Sequence, residues 1–362
     1  MRSKEKCVRL LPVAAWLLAL CLLAGCAKTA TDEEAFSGRT VPDNEALYAQ
    51  AGAGAESVSP EDLSAENSAY TGQTPVKELD LESEAVPLAA SPAAADLSLM
   101  PVASGAAVKS GGGAEIDYSN TKDGYVMVRF AGSNSKRLKV QVTGPTTTYT
   151  YDLPTGAWNT FPLSDGNGKY KVTALQNTEG NKYAILTSAS FQAALSDEFA
   201  PFLRPNQYVD YSSAANTVKK AKELTSGISD PLEQVAKIYD YVVGNLTYDK
   251  NKAATVKSGY LPVLDSVLSA KSGICFDYAA LMTGMLRSQG VPCKLVVGYA
   301  GTAYHAWVNV WTEETGWVDG VIFFDGTNWQ RMDPTFASSG KGSEAIMKYI
   351  GDGSNYTTKY LY

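Results

Sequence analysis

The period of the apolar residues changes near residue 196, and that change constrains the fold more than any other feature of the chain. Between residues 114 and 194, the runs GYVMVRFAG, KRLKVQVTG, TTTYTYDL, WNTFPL, GKYKVTALQN and KYAILTSASF alternate in two-residue steps and are bounded by Gly, Asn, Asp and Pro. They are rich in Val, Tyr, Thr and Phe, which suit a pleated, half-buried surface. Six or seven strands in about 80 residues predict a small all-β sandwich of immunoglobulin or fibronectin-III type, over residues 113–195. Asp165 and Asn167 in SDGNGKY are too few ligands for a calcium loop and read as a hairpin turn.

Beyond residue 196 the steps lengthen to three and four. Asp230, Pro231 and Glu233 mark a helix start: a cap, a proline at the first position and an acid three residues on. Leu232, Val235, Ala236, Tyr239, Val242, Val243 and Leu246 then share one face. A shorter helix is predicted near residues 262–269. The next runs from Cys275 to Ser288 and is apolar on more than one face, as a buried central helix would be. CKLVVGY, HAWVNVW, GWV, VIFF and WQRMD follow as strands of an antiparallel sheet. Helices first and strands afterwards make residues 196–362 an α+β domain.

The first 112 residues obey neither period. Residues 1–25 run from the basic MRSKEKCVRL through the apolar LPVAAWLLALCLLA to a small-residue cleavage site, the order of a secretory signal. Its end, LAGC, resembles the lipobox of bacterial lipoproteins, which implies that Cys26 becomes the lipidated mature N-terminus. The remainder is then extracytoplasmic and held to the cell membrane. Residues 26–112 are mostly Ala, Ser, Glu, Gly and Pro, too poor in large apolar groups to offset their ordering entropy, and predict a disordered tether. As a random coil it has an r.m.s. reach of about 50 Å. Residues 27–112 carry four basic and fourteen acidic groups, whereas residues 113–362 carry 23 of each. A neutral folded region without a basic stripe argues against nucleic acid as a partner.

Once the signal is removed and Cys26 lipidated, the cysteines left are Cys275 and Cys293. Two thiols do not make a disulfide scaffold. Cys293 lies in the strand-like VPCKLVVGY and is expected to behave as a small buried apolar group. Cys275, in SGICFDYAALM, falls at the start of the central helix, where unpaired N–H groups and the positive dipole end favour an anion. A free thiol is only a few per cent thiolate at neutral pH, so a nucleophile also needs a base. His305, in YHAWVNVW, is the only histidine in the chain. Strand alternation puts it on a face with Trp307, Asn309 and Trp311, away from Ala306, Val308 and Val310. A carboxylate would hold the imidazole in the right tautomer. Asp333 in RMDPTF closes a strand and is the leading candidate; Asp325 in FFDGTNW and Asp319 in WVDG compete but suit turns better. One histidine and two distant cysteines leave no spacing for a zinc cage.

SGICFDYAALMTGMLRSQGVPCKLVVGY, YHAWVNVW, GWV and RMDPTF together resemble the transglutaminase-like superfamily over residues 205–340. The resemblance implies a papain-like α+β core, a Cys275–His305–Asp333 triad, no cofactor, and a thioester acyl-enzyme intermediate formed on a peptide, protein or cell-wall amide. Water as the second nucleophile makes the protein a protease or amidase, the favoured outcome; an amine makes it a cross-linking transferase. A catalytically inert, lipid-anchored binding or scaffold protein is the alternative of a different class. Retention of thiol, imidazole and carboxylate in order argues against it.

Overall fold

The computed structural model describes residues 99–313 together with short segments at 39–40, 316–318, 322–324, 329–331 and 356–362. Strands β1 (Arg39–Thr40), β5 (Leu138–Thr143), β6 (Thr148–Asp152), β8 (Gly168–Glu179) and β9 (Lys182–Ala193) form one antiparallel sheet in the order β1-β9-β8-β5-β6. β2 (Val108–Gly111), β3 (Ala114–Asp117), β4 (Tyr125–Phe130) and β7 (Asn159–Pro162) form a second in the order β2-β3-β4-β7. Alternation fills the space between them. Val140, Val142 and Val172 of the first sheet share a buried core with Ile116, Val126, Val128 and Phe161 of the second. β2 falls within the stretch that composition assigns to the tether. Its sequence VKSG is mostly exposed, so no apolar pattern betrays an edge strand there. Asp165 does work as a turn residue: its carboxylate accepts bonds from Thr146 N, Thr147 N and the Tyr149 hydroxyl, and the Asn167 amide oxygen accepts one from Leu195 N.

The α+β part begins with α1 (Ala215–Leu224), α2 (Pro231–Asn245), β10 (Thr247–Tyr248), α3 (Lys250–Thr255) and α4 (Leu264–Ala270). Asp230 caps α2, accepting from Leu232 N at 3.0 Å. The buried face of α2 is Val235, Ile238, Tyr239 and Val242, so Ile238 takes the place expected for Leu232 and Ala236. β11 (Ser272–Gly273) pairs in parallel with β10 and leads into α5 (Cys275–Ser288), all of whose residues are buried. Neither α1 nor α3 has an apolar stripe wide enough to be read from sequence: α1 buries only Thr217 and Ala221, and α3 only Ala253.

The chain then turns through residues 289–292 into β12 (Cys293–Ala300) and β13 (Ala303–Thr312), which join β14 (Gly316–Val318) and β17 (Tyr356–Leu361) in the order β14-β13-β12-β17. β15 (Ile322–Phe324) and β16 (Trp329–Arg331) pair separately. α5 packs on both β12 and β13. The buried core is continuous between this part and the sandwich. Tyr208 links the two: its ring lies 5.3 Å from Phe276 on the first turn of α5, 4.6 Å from Tyr362 and 5.6 Å from Tyr151 of β6.

Candidate active site

Cys275 is the first residue of α5, entered from Ile274 in an extended conformation. Two devices fix that entry. The β10–β11 pair is extended by the bond from Asp249 N to Gly273 O, at 2.9 Å. Asp277, in the first turn, folds its carboxylate back to accept from Ile274 N at 2.8 Å. The fold-back explains Gly273. A Cβ there would lie 2.6 Å from the Asp277 Cβ, a separation that real side chains do not tolerate.

Asp277 is fully buried, and a buried carboxylate is costly unless its oxygens are bonded. Here they are. The Lys252 ammonium donates to Oδ2 at 2.6 Å, and the Tyr260 hydroxyl donates to Oδ1 at 2.6 Å. Lys252 also donates to the Tyr260 oxygen at 2.7 Å, which closes a triangle of acid, base and phenol beneath the N-terminal end of α5. Burial and then the bond to Asp277 push the Tyr260 hydroxyl well above its ordinary pKa, so it remains the donor. Asp277, Lys252 and Tyr260 were not singled out from sequence. The available signal was an acid three residues after the helix cap, the position that reaches back to the cap N–H.

His305 lies on β13 opposite Gly298. Tyr304, Ala306, Val308 and Val310 join the core shared with α5, so the aliphatic face meets the helix. His305, Trp307 and Asn309 take the other face and are buried too. The imidazole stacks on Trp307 at 6.3 Å and lies tilted against Tyr356 at 6.4 Å, and these two aromatics meet edge-on at 5.1 Å. Tyr356 comes from β17, which pairs antiparallel with β12 with a register shift between Val297 and Gly298. Glycine is needed at 298: a Cβ would come within 2.0 Å of Thr357 O and 2.9 Å of the Trp307 ring.

α5 and β13 bring the two segments together at matching heights. Fourteen residues of α5 rise about 21 Å, and the steps back along β12 from Cys293 to Gly298 cover about 17 Å. The first turn of α5 and the end of the β12–β13 hairpin therefore lie on the same side of the domain. Asp333, Asp325, Asp319 and Cys26 lie outside the described residues. Cys293 is free, like Cys275, and fully buried. Its thiol donates to Thr283 O at 3.6 Å, and burial pushes its pKa up to about 11, as expected of a thiol that serves packing. Among the described residues no three His, Cys, Asp or Glu side chains gather as metal ligands, and no helix is long and apolar enough to cross a membrane.

Comparison with known proteins agrees with the motifs. The family model for the transglutaminase-like superfamily matches residues 218–334. An uncharacterized protein of Mycobacterium tuberculosis is 26% identical over 171 residues, 43% of this chain and 51% of that protein. The chain thus spans about half the length of that relative. A protein-glutamine gamma-glutamyltransferase of Pseudomonas aeruginosa is 34% identical over 68 residues, 15% of this chain and 10% of that protein. Among solved structures, the periplasmic domain of TgpA from Pseudomonas aeruginosa bound to ethylmercury is 16% identical with a TM-score of 0.31, covering 59% of this chain and 94% of that one. Residues 218–334 are thus similar to the transglutaminase-like superfamily, and Cys275 and His305 both fall within the matched segment.

Proposed function

We propose that the protein is a cysteine-dependent acyl-transfer enzyme of the cell surface that hydrolyses a peptide or other amide through Cys275, His305 and Asp333. The observation that carries this reading is the position of Cys275: a free thiol at the first residue of a buried helix that packs on the strand bearing the chain's single histidine. The Cys275 thiol gives its proton to the His305 imidazole, the resulting thiolate sulfur attacks the amide carbonyl carbon, and the carbonyl π pair moves to oxygen. The backbone N–H of Cys275, at the positive end of α5, is the natural first donor to that oxyanion. As the oxyanion collapses, the C–N bond breaks and the His305 imidazolium gives its proton to the leaving amine. Water, deprotonated by His305, then attacks the thioester, releasing the carboxylic acid and restoring the thiol. Asp333 holds the ring in its tautomer.

His305 lies near the hairpin end of β13, opposite Gly298, level with the first turn of α5. Residues 1–26 supply export and a lipid anchor at Cys26, which confines the activity to substrates at the membrane surface.

A second reading, transfer to an amine, draws on the similarity to the Pseudomonas aeruginosa gamma-glutamyltransferase. A peptide library incubated with and without an added primary amine, with wild type and Cys275→Ala, separates the outcomes. Cysteine-dependent cleavage without amine supports hydrolysis. Product only as the amine adduct favours transfer, and identical profiles for both proteins leave an inert scaffold.

A further inference from the structure

The triangle of Lys252, Tyr260 and Asp277 does more than neutralise a buried acid. Asp277 is the side chain that holds Ile274 N, one residue before the thiol, and Gly273 gives it room to do so. Whatever fixes Asp277 fixes the direction in which Cys275 leaves the helix end. Lys252 and Tyr260 come from two different places, the first turn of α3 and the segment that links α3 to α4. α3 is itself capped by Asp249, which accepts from Lys252 N at 2.8 Å, while the Asp249 N–H holds Gly273 O. The linking segment is pinned from the far side as well. Ser258 accepts from Arg137 of the sandwich at 3.3 Å, and Gly259, at a φ of 81°, abuts the Asp152 carboxylate so closely that a Cβ would fall 2.3 Å from Oδ2. Tyr260 is therefore a post braced between the sandwich and the start of α5.

We propose that Lys252 and Tyr260 are positioning residues for the Cys275 nucleophile, acting through Asp277, and that the sandwich stiffens them by clamping residues 258–259. Neither residue reacts. Together they keep the Asp277 carboxylate in the pose that bonds Ile274 N, and so keep the sulfur at the mouth of the helix. The inference rests on Cys275 being the nucleophile.

Alkylation of the full chain by iodoacetamide tests it, with Cys275 and Cys293 followed separately by peptide mass spectrometry. Lys252→Met and Tyr260→Phe each lose a charge-assisted bond to Asp277 and are expected to slow Cys275 on the order of tenfold at pH 7. Lys252→Arg, which keeps the charge, is expected to restore most of that rate. Cys293 is the internal control. Loosening of the fold would speed its labelling, whereas repositioning of α5's first turn lowers the Cys275 rate alone. Should Lys252→Met fail to fold, Tyr260→Phe decides. Wild-type Cys275 that labels no faster than Cys293 would sink the nucleophile reading itself. Fast wild-type labelling that stays unchanged in folded Lys252→Met or Tyr260→Phe, or that Lys252→Arg does not restore, overturns the positioning role and leaves the nucleophile intact.

Discussion

The two ends of α5 each bury a charged side chain next to a cysteine, and they treat the cysteine in opposite ways. At the N-terminal end the charge is Asp277, bonded by a lysine, a tyrosine and a backbone N–H, and the thiol occupies the helix's first position. At the C-terminal end the charge is Arg287, whose guanidinium donates to the carbonyls of Cys293, Arg204 and Tyr362, and the neighbouring thiol begins a strand. Acid at the first turn and base at the last both complement the helix dipole. The difference lies in what each charge holds. Asp277 holds the backbone leading to a thiol at a helix mouth, while Arg287 ties three strands and loops together around a thiol sealed in the core. Both thiols are buried, so burial does not distinguish them; the partner of the local backbone does.

The sharpest way to break the comparison is to measure both thiols. With a pKa pushed up to about 11, Cys293 is ionised at pH 7 to only about one part in ten thousand. Cys275 is expected to alkylate faster by at least the order of a hundredfold, and His305→Ala is expected to remove most of that lead. Equal slow labelling of the two would erase the distinction between the ends of the helix. A His305→Ala profile identical to wild type would show that the imidazole does not serve the sulfur.

Arg287→Met tests the other end. It keeps the side-chain volume but leaves three carbonyls without their donor, an expected loss of about 3 kcal/mol and a fall in Tm of roughly 10 °C. Labelling of Cys293 should rise as its cover loosens. An unchanged Tm would mean that the buried guanidinium stabilises nothing beyond its own desolvation cost.

How much of this was legible in the sequence follows from how local each feature is. The α5 boundaries, the Asp230 cap and the strands β12 and β13 depend on near neighbours and were readable at their true positions. The Cys275 and His305 candidates came from motif and order, and the elements that carry them do pack together. Partners distant in sequence were not readable. Tyr356 joins His305 only because β17 pairs with β12 across more than fifty residues, and nothing in NYTTKYLY announces that register. Lys252 and Tyr260 lie in segments with no marked apolar period, and their importance appears only when Asp277 folds back between them. The edge strand β2 was lost to the tether for a related reason, since an exposed strand leaves no alternating signal.

Glycines give a smaller, paired test of the same point. Gly273→Ala forces a methyl against the Asp277 side chain and should cost about 1 to 3 kcal/mol, with Cys275 alkylation slowed in parallel. Gly244, inside α2, has open space where a Cβ would go, so Gly244→Ala should stabilise by about 1 kcal/mol through helix propensity. If the two substitutions behave alike, the close approach at Gly273 is not what constrains the entry to α5.

The smallest effect belongs to a third helix end, that of α1, which has no capping side chain of its own. Asp265 of α4 supplies one from 48 residues away, accepting from Thr217 N and the Thr217 hydroxyl at 2.8 Å and from Asn216 N at 3.1 Å. Partial burial raises the pKa of this carboxyl, but the bonds from Thr217 and Asn216 outweigh it and leave the group below its ordinary 3.8. A lowered folded pKa means that the ionised form contributes stability above that ordinary value and that the contribution fades as pH falls through and below it. Asp265→Ala should therefore cost about 1 kcal/mol near pH 7, and the gap to wild type in urea titrations should narrow toward pH 2. A gap that stays constant across that range would assign the loss to packing rather than to the charge, and would separate this partly buried cap from the fully buried Asp277, whose bonds come from a lysine and a tyrosine as well as from the backbone.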